Sequence, residues 1–243
     1  MAIYKKLLLL TAFFFICAFA SAETQTQQDT ANDQQLYIRG TEGVALEYSS
    51  WDFFFTLGPL LYVNTDSSSA PSPVKFSAGF GFDFFTDRII SFQPKVSAFT
   101  NYYLWDGQYA RPAEVENRTA LALSFLFDLN AAHKWSFYND SFELSGGISF
   151  LARHAFLANG VEETDSGSSS TASAGDDVKS INSWFFKDLN FLYPNISFCY
   201  MHQFTENYSA GLETKVYIPL GALKDGRALD TTLVFFGVKV CIK

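Results

Sequence analysis

The sequence predicts an all-β protein, an eight-stranded antiparallel up-and-down transmembrane β-barrel, on three observations. Eight segments alternate between apolar and polar residues, a period that only a strand with two unlike environments satisfies. Most of these segments run to eleven residues or more, against roughly 5–6 for ordinary soluble strands, and about 9–11 suffice to cross a bilayer. The connectors between them alternate long and short, as in a barrel with external loops at one end and tight turns at the other.

The strands follow in order. The first covers about 51–63, with Trp51, Phe53, Phe55, Leu57, Leu61 and Val63 on one face. Val44, Leu46 and Tyr48 have the opposite parity, so extending it upstream requires a bulge near Ser49-Ser50. The second, 74–85, reads VKFSAGFGFDFF: Val74, Phe76, Ala78, Phe80, Phe82 and Phe84 against Lys75, Ser77, Gly79, Gly81 and Asp83. The third spans about 92–105, the fourth about 117–129, the fifth about 141–156 and the sixth about 185–203, whose upstream half is irregular. The seventh spans about 208–220 and the eighth about 231–242. No helix of convincing length competes, because period 2 wins wherever the two periods are compared.

The odd connectors are NTDSSSAPSP after strand one, DGQYARPAEVE after strand three, a long segment beginning at Ala158 after strand five, and GALKDGRALD after strand seven. They are richer in Ser, Gly, Pro and acid than the even ones. Among the even connectors, Asp87-Arg88 and TEN are short, and Ala131 to Asn139 is of moderate length.

Ahead of the barrel, Lys5 and Lys6 precede an apolar run from Leu7 to Ala20 and an A-x-A site. This reads as a secretory signal, residues 1–22, cleaved between Ala22 and Glu23. Acylation at Cys17 is disfavoured by the bulky Ile16 before it. Residues 23–42 are polar and read as a flexible periplasmic N-terminal tail, leaving 43–243 for the barrel.

Period alone does not say which face is outside; side-chain volume does. An eight-stranded lumen is only just wide enough for side chains to fill. The polar face carries small residues such as Gly58, Ser77, Gly79, Ala122, Ser124, Ser145 and Gly237, whereas the other face carries Phe, Leu, Val and Ile at nearly every position. The bulky face is therefore expected in lipid. Trp51, Tyr62, Tyr102, Tyr103, Trp105, Trp184, Tyr200 and Tyr208, near strand ends, are expected in interfacial girdles.

With these features the region 44–243 resembles the small eight-stranded outer-membrane barrels, the class of the OmpA transmembrane domain, OmpX and OmpW/OprG. It is a resemblance of architecture without a family-specific motif. It implies the outer membrane of a diderm bacterium, insertion by the barrel-assembly machinery, and surface loops outside. One departure is the C-terminus, where Ile242 and Lys243 stand in place of the expected terminal aromatic residue.

Inward parity collects Asp52, Lys75, Asp83, Lys95, Arg118, Asp128, Glu143, Arg153, Glu213, Lys215 and Lys239, six cations and five anions. A nearly neutral, salt-bridged lumen is expected, since isolated charges in a narrow interior must pair or meet water. Asp52 is expected beside Lys239, and Asp83 beside Lys95. Cys199 and Cys241 share inward parity, but one strand lies between theirs. Two inter-strand steps exceed the reach of a disulfide, so two free thiols are expected.

The net charge of −8 leaves no basic patch for nucleic acid. His133, His154 and His202 fall far apart, with no metal spacing, no Ser-His-Asp set and no phosphate loop, so neither catalysis nor a cofactor is expected. The acidic, Ser/Gly-rich segment 158–180 reads as a solvated loop.

Three functional readings follow. The first is a structural or surface-contact barrel, with a largely plugged lumen and host surface ligands as partners. The second is a porin-like, OmpW-like narrow conduit for small apolar molecules. The third is a secreted soluble lipocalin-like barrel.

Overall fold

A computed structural model of the chain describes residues 51–63, 74–86, 88–114, 119–167, 172–227 and 230–243. The expected signal segment with its Ala22–Glu23 cleavage site, the tail, the bulge near Ser49-Ser50 and Arg118 lie outside the described residues.

The strands are β1 (Trp51–Tyr62), β2 (Val74–Phe84), β3 (Ile90–Trp105), β4 (Ala110–Ala113), β5 (Ala120–Phe137), β6 (Asp140–Leu157), β7 (Leu192–Gln203), β8 (Tyr208–Tyr217) and β9 (Leu233–Ile242). All pairings are antiparallel. Eight long strands join neighbour to neighbour, and β1 pairs with β9 to close the barrel. The short β4 is a flap on the long-connector end of β3, pairing Ala110–Ala113 with Trp105–Tyr102. At the closing seam Gly58 meets Gly237, where a side chain on either would collide with the opposite backbone.

The parity of the sequence translates directly into sides of the wall. Phe76 is 65 % exposed, and Phe55, Leu57, Phe80, Phe125, Phe127, Leu144, Phe198, Leu212 and Val238 also face outward. An apolar belt this continuous exceeds what soluble monomers leave in water. The soluble-barrel alternative required these residues inside, and they are outside.

Several expectations need correction. The chain contains helix α1 (Ala174–Phe186) and a shorter α2 (Leu220–Lys224), where no helix was expected and strand six was placed from 185. Within α1, Ala174, Ile181, Trp184 and Phe185 are buried on one stripe, and Ser173 caps the first turn by accepting from the Asp176 N–H at 3.2 Å. The Ser/Gly-rich lead-in masks that helical period. The seventh strand ends at Tyr217, and Pro219 sits at the N-cap of α2. The fourth connector is the two-residue turn Tyr138-Asn139, because β5 continues to Phe137. The turn's shortness makes the odd–even asymmetry clearer than the sequence suggests.

The barrel rim is uneven. Phe150 on β6 pairs with Leu192, the first residue of β7, so β6 continues seven residues beyond its neighbour. Helix α1 packs on the inner side of this taller wall. There Tyr103, Ala120, Ala122 and Ala155 cluster with Ile181, Trp184 and Phe185. Asn182 clamps the exposed edge: its Oδ1 accepts from the Ala155 N–H and its Nδ2 donates to the Ala155 carbonyl, both at 2.8 Å. One side chain thus satisfies backbone groups that a neighbouring strand would otherwise bond.

Candidate functional site: the barrel lumen

The interior is arranged in storeys. Nearest the short turns is an ionic storey. Lys215 Nζ donates to Asp128 Oδ2 at 2.7 Å, and Tyr217 Oη donates to the same oxygen at 3.1 Å. Lys95 lies 3.6 Å from both Asp128 and Glu213. Lys239 donates to Glu143 Oε1 at 2.7 Å. Three lysines and three carboxylates from β3, β5, β6, β8 and β9 thus pair across the lumen, with Asp83 of β2 as a further carboxylate of this storey. Burial of such groups is tolerable because each cation finds a carboxylate. Smaller polar groups complete the storey: Ser145 with Ser197 at 2.7 Å, and Asn195 Nδ2 donating to Ser149 Oγ at 2.7 Å.

Above it lies an apolar cluster of Leu60, Tyr62, Phe99, Leu126, Leu151, Tyr193, Tyr217, Leu233 and Phe235. These large residues share inward parity with the small ones expected to line the lumen. They occupy the middle of the barrel while Gly58, Gly79, Gly147 and Gly237 line other parts of the wall. The alternation of bulky and small inward residues is what a narrow, tapered interior needs.

The outer storey is built around Arg153 of β6, 2 % exposed. Its Nη1 donates to Tyr62 Oη at 3.1 Å and to Tyr103 Oη at 3.4 Å, and its Nη2 donates to the Asn190 carbonyl at 2.7 Å. The Tyr103 hydroxyl donates to Tyr62 Oη at 3.2 Å. The guanidinium lies 4.2 Å from the centre of the Phe185 ring and 5.5 Å from that of Trp184, both on α1. Phenol oxygens, a carbonyl and aromatic faces surround this cation, and none of the described ion pairs includes it.

The connectors close over this storey. Arg227 stacks on the Tyr109 ring at 3.7 Å, and Lys224 donates to Asp188 Oδ1 at 2.6 Å. These contacts tie the third, fifth and seventh connectors together. The Lys224 hydrogen bond holds the exposed Asp188 carboxyl below its usual range, and the Ser173 hydroxyl does the same for Asp176. The segment expected to be a solvated loop instead carries an ordered helix with a buried face.

The sequence-selected residues thus separate. Lys95, Asp128, Glu213 and Lys215 come together, and Glu143 joins Lys239. Neither expected pair forms: Lys239 aligns with Thr56 rather than Asp52, and Lys95 turns to Asp128 and Glu213 while Asp83 accepts from Gln93 Nε2 at 3.1 Å. Asp52 is only half-buried, and Lys75 lies 5.2 Å from the centre of the Tyr102 ring. Arg153 is separate from all the carboxylates named. Tyr62, Tyr103 and Trp184, expected in an interfacial girdle, are buried inside. Parity already marks Tyr62 and Tyr103 as inward, since they alternate in phase with Phe54 and Lys95.

Cys199 and Cys241 are both free thiols. Strand β8 lies between them: Cys199 aligns with Glu213, which aligns with Gly237, while Cys241 aligns with Ser209. Among the described residues no cluster of three or more His, Cys, Asp or Glu has the geometry to hold a metal ion. His202 Nδ1 and Tyr200 Oη bond Asp140 Oδ1 at 2.8 and 2.7 Å on the barrel's end, and His154 stands apart on the outer face.

No family model and no curated protein matches the chain. Solved structures do. Neisserial surface protein A is 8 % identical, with a TM-score of 0.50, over 80 % of this chain and 97 % of that one. The outer membrane protein OprG from Pseudomonas aeruginosa is 10 % identical, with a TM-score of 0.43, over 80 % and 97 %. The Yersinia pestis outer membrane protein Ail is 9 % identical, with a TM-score of 0.35, over 79 % and 99 %. At such identities the likeness is one of fold: this chain is similar to small eight-stranded barrels of the outer membrane.

Proposed function

We propose that the protein is a non-enzymatic integral barrel of a bacterial outer membrane, delivered by its signal segment and inserted by the assembly machinery. Its role is structural or surface-contacting. The observation that carries this reading is the opposition of the two faces: an uninterrupted apolar belt outside, and a lumen occupied by bonded polar groups and packed rings inside. The belt suits hydrocarbon, which demands a closed sheet without free edges. The odd connectors, tied together over Arg153, would form the cell-surface end and contact host ligands or neighbouring molecules. The tail would lie in the periplasm.

In this reading the ionic storey and the apolar cluster together plug the lumen. Reconstitution in a planar bilayer tests it, because the reading expects no steady conductance. A stable conductance above the bare-membrane background would replace it with the conduit reading. Heat-modifiable migration on cold SDS gels, retention in the membrane pellet after carbonate extraction, and surface labelling of an epitope at Gly160 but not at Glu206 check insertion and orientation.

One observation favours the conduit as a second reading. The β2–β3 ladder joins only Ala78–Gly81 to Lys95–Ala98, plus Phe84 to Phe92. Among the described residues, Phe99–Asn101 of β3 therefore lies between β2 and the β4 flap without a ladder partner on that edge. A small apolar molecule that entered there would reach lipid sideways.

A further inference from the structure

Among the described residues, the buried side-chain polar atoms of the barrel strands that lack a hydrogen-bond partner fall into two groups by chemistry. In the ionic storey they are all acceptors: Asp83 Oδ1, Asp128 Oδ1, Asn130 Oδ1 and Asn195 Oδ1, with Glu213 Oε2 engaged only by the Lys95 ammonium at 3.6 Å. In the outer storey they are mostly donors: Arg153 Nε, Asn101 Nδ2 and Ser124 Oγ, with Asn101 Oδ1 beside them. The outer group sits on three adjacent strands. Ser124 of β5 pairs directly with Arg153 of β6, and Asn101 of β3 pairs with Ala122, two residues along from Ser124. All three side chains point inward, and Asn101 is 0 % exposed.

From this juxtaposition we infer that Arg153, Ser124 and Asn101 form a binding site for one small monovalent inorganic anion of halide size. A guanidinium removed from water without a carboxylate carries a large cost unless a counter-charge accompanies it. Its phenol and carbonyl partners are neutral and satisfy only Nη1 and Nη2. An anion accepting from Nε–H, the Ser124 hydroxyl and the Asn101 amide would supply the charge and occupy the orphaned donors together. A water molecule would satisfy hydrogen bonds but leave the charge. The neighbouring inward positions are Ala120, Ala122 and Ala155, whose side chains are short, and Tyr103 and Phe185 belong to the same buried cluster. Dense packing of buried side chains around the three donors favours a small anion over a carboxylate or a phosphate ester.

The probe is bromide. Crystals of the refolded full barrel, grown in bromide, are measured at the bromine edge. The expected result is an anomalous peak among Arg153 Nε, Ser124 Oγ and Asn101 Nδ2, at least tenfold weaker in the doubly substituted S124A/N101L barrel. That variant keeps Arg153 and its phenol contacts, so the test does not depend on Arg153→Met folding. Ordered water without an anomalous peak overturns the inference. So does a peak that persists unchanged in S124A/N101L.

Discussion

The two ends of the lumen bury cations by opposite means. In the ionic storey each lysine lies beside a carboxylate. In the outer storey Arg153 has phenols, a carbonyl and ring faces, and no carboxylate among the described residues. The difference follows from side-chain chemistry. An ammonium is a compact, strongly hydrated point charge that takes a carboxylate directly, whereas a planar, more weakly hydrated guanidinium spreads its contacts over phenols, a carbonyl and aromatic faces and keeps Nε for a further acceptor. It also assigns different tasks to the two ends. The ionic storey cross-links five strands around the barrel, and the outer storey links the wall to helix α1, a connector element.

The comparison is broken most directly by removing one member of the ionic storey. Asp128→Ala leaves Lys215 without its hydrogen-bonded carboxylate and Lys95 sharing only Glu213. We expect a loss of about 3–5 kcal/mol, the usual cost of orphaning a buried charge, read as a lower urea midpoint in unfolding from lipid vesicles. A variant as stable as wild type would mean that water already solvates this storey.

Next in size is a change on the lipid face. Phe127→Arg puts a cation in the apolar belt, and a charge at the bilayer midplane costs about 2–4 kcal/mol. The same substitution on a water-facing surface would be nearly neutral, so the unfolding midpoint in vesicles decides between the two settings.

Arg153→Met should cost less than Asp128→Ala, about 1–3 kcal/mol, because it leaves neutral hydrogen-bond partners and no buried charge. It should also loosen α1, seen as faster amide exchange at Ile181–Phe185 than in wild type. Equal losses for Arg153→Met and Asp128→Ala would erase the distinction between storeys.

The smallest effect concerns the ties between connectors. The Asp188 carboxyl is held below its ordinary range by Lys224, so its contribution is present above the unfolded value of about 3.9 and is lost as pH falls through the lower folded value. Amide exchange around Asp188 and α2 should therefore quicken below about pH 4 in wild type. In Asp188→Asn it should already be quicker at neutral pH, with no further acid step from this group.

Much of this architecture was legible from residues alone. Strict alternation in VKFSAGFGFDFF fixes the outward Phe face, and parity selects inward groups from Lys75 to Lys239. Cross-lumen partnership was not legible. Lys239 meets Glu143 across the lumen rather than Asp52 on the next strand, because shear and side-chain reach decide which levels coincide. Helix α1 was hidden for another reason. Its apolar stripe, Ala174, Ile181, Trp184 and Phe185, is short and follows a Ser/Gly-rich stretch, and its stability comes from packing on the alanine wall rather than from composition. The outer storey is not legible from the inward charges alone, which include Arg153, because its chemistry rests equally on Tyr62, Tyr103, Asn101 and Ser124.

The central claim is that the alternating face carrying Phe127 lies in hydrocarbon while the face carrying Leu126 lies inside. Tryptophan placed at each position, F127W and L126W, can be compared with wild type in vesicles whose acyl chains carry bromine, a short-range quencher. The account expects the added fluorescence of F127W to be strongly quenched and that of L126W to be largely spared. Equal quenching at both positions, or quenching of L126W alone, would contradict it.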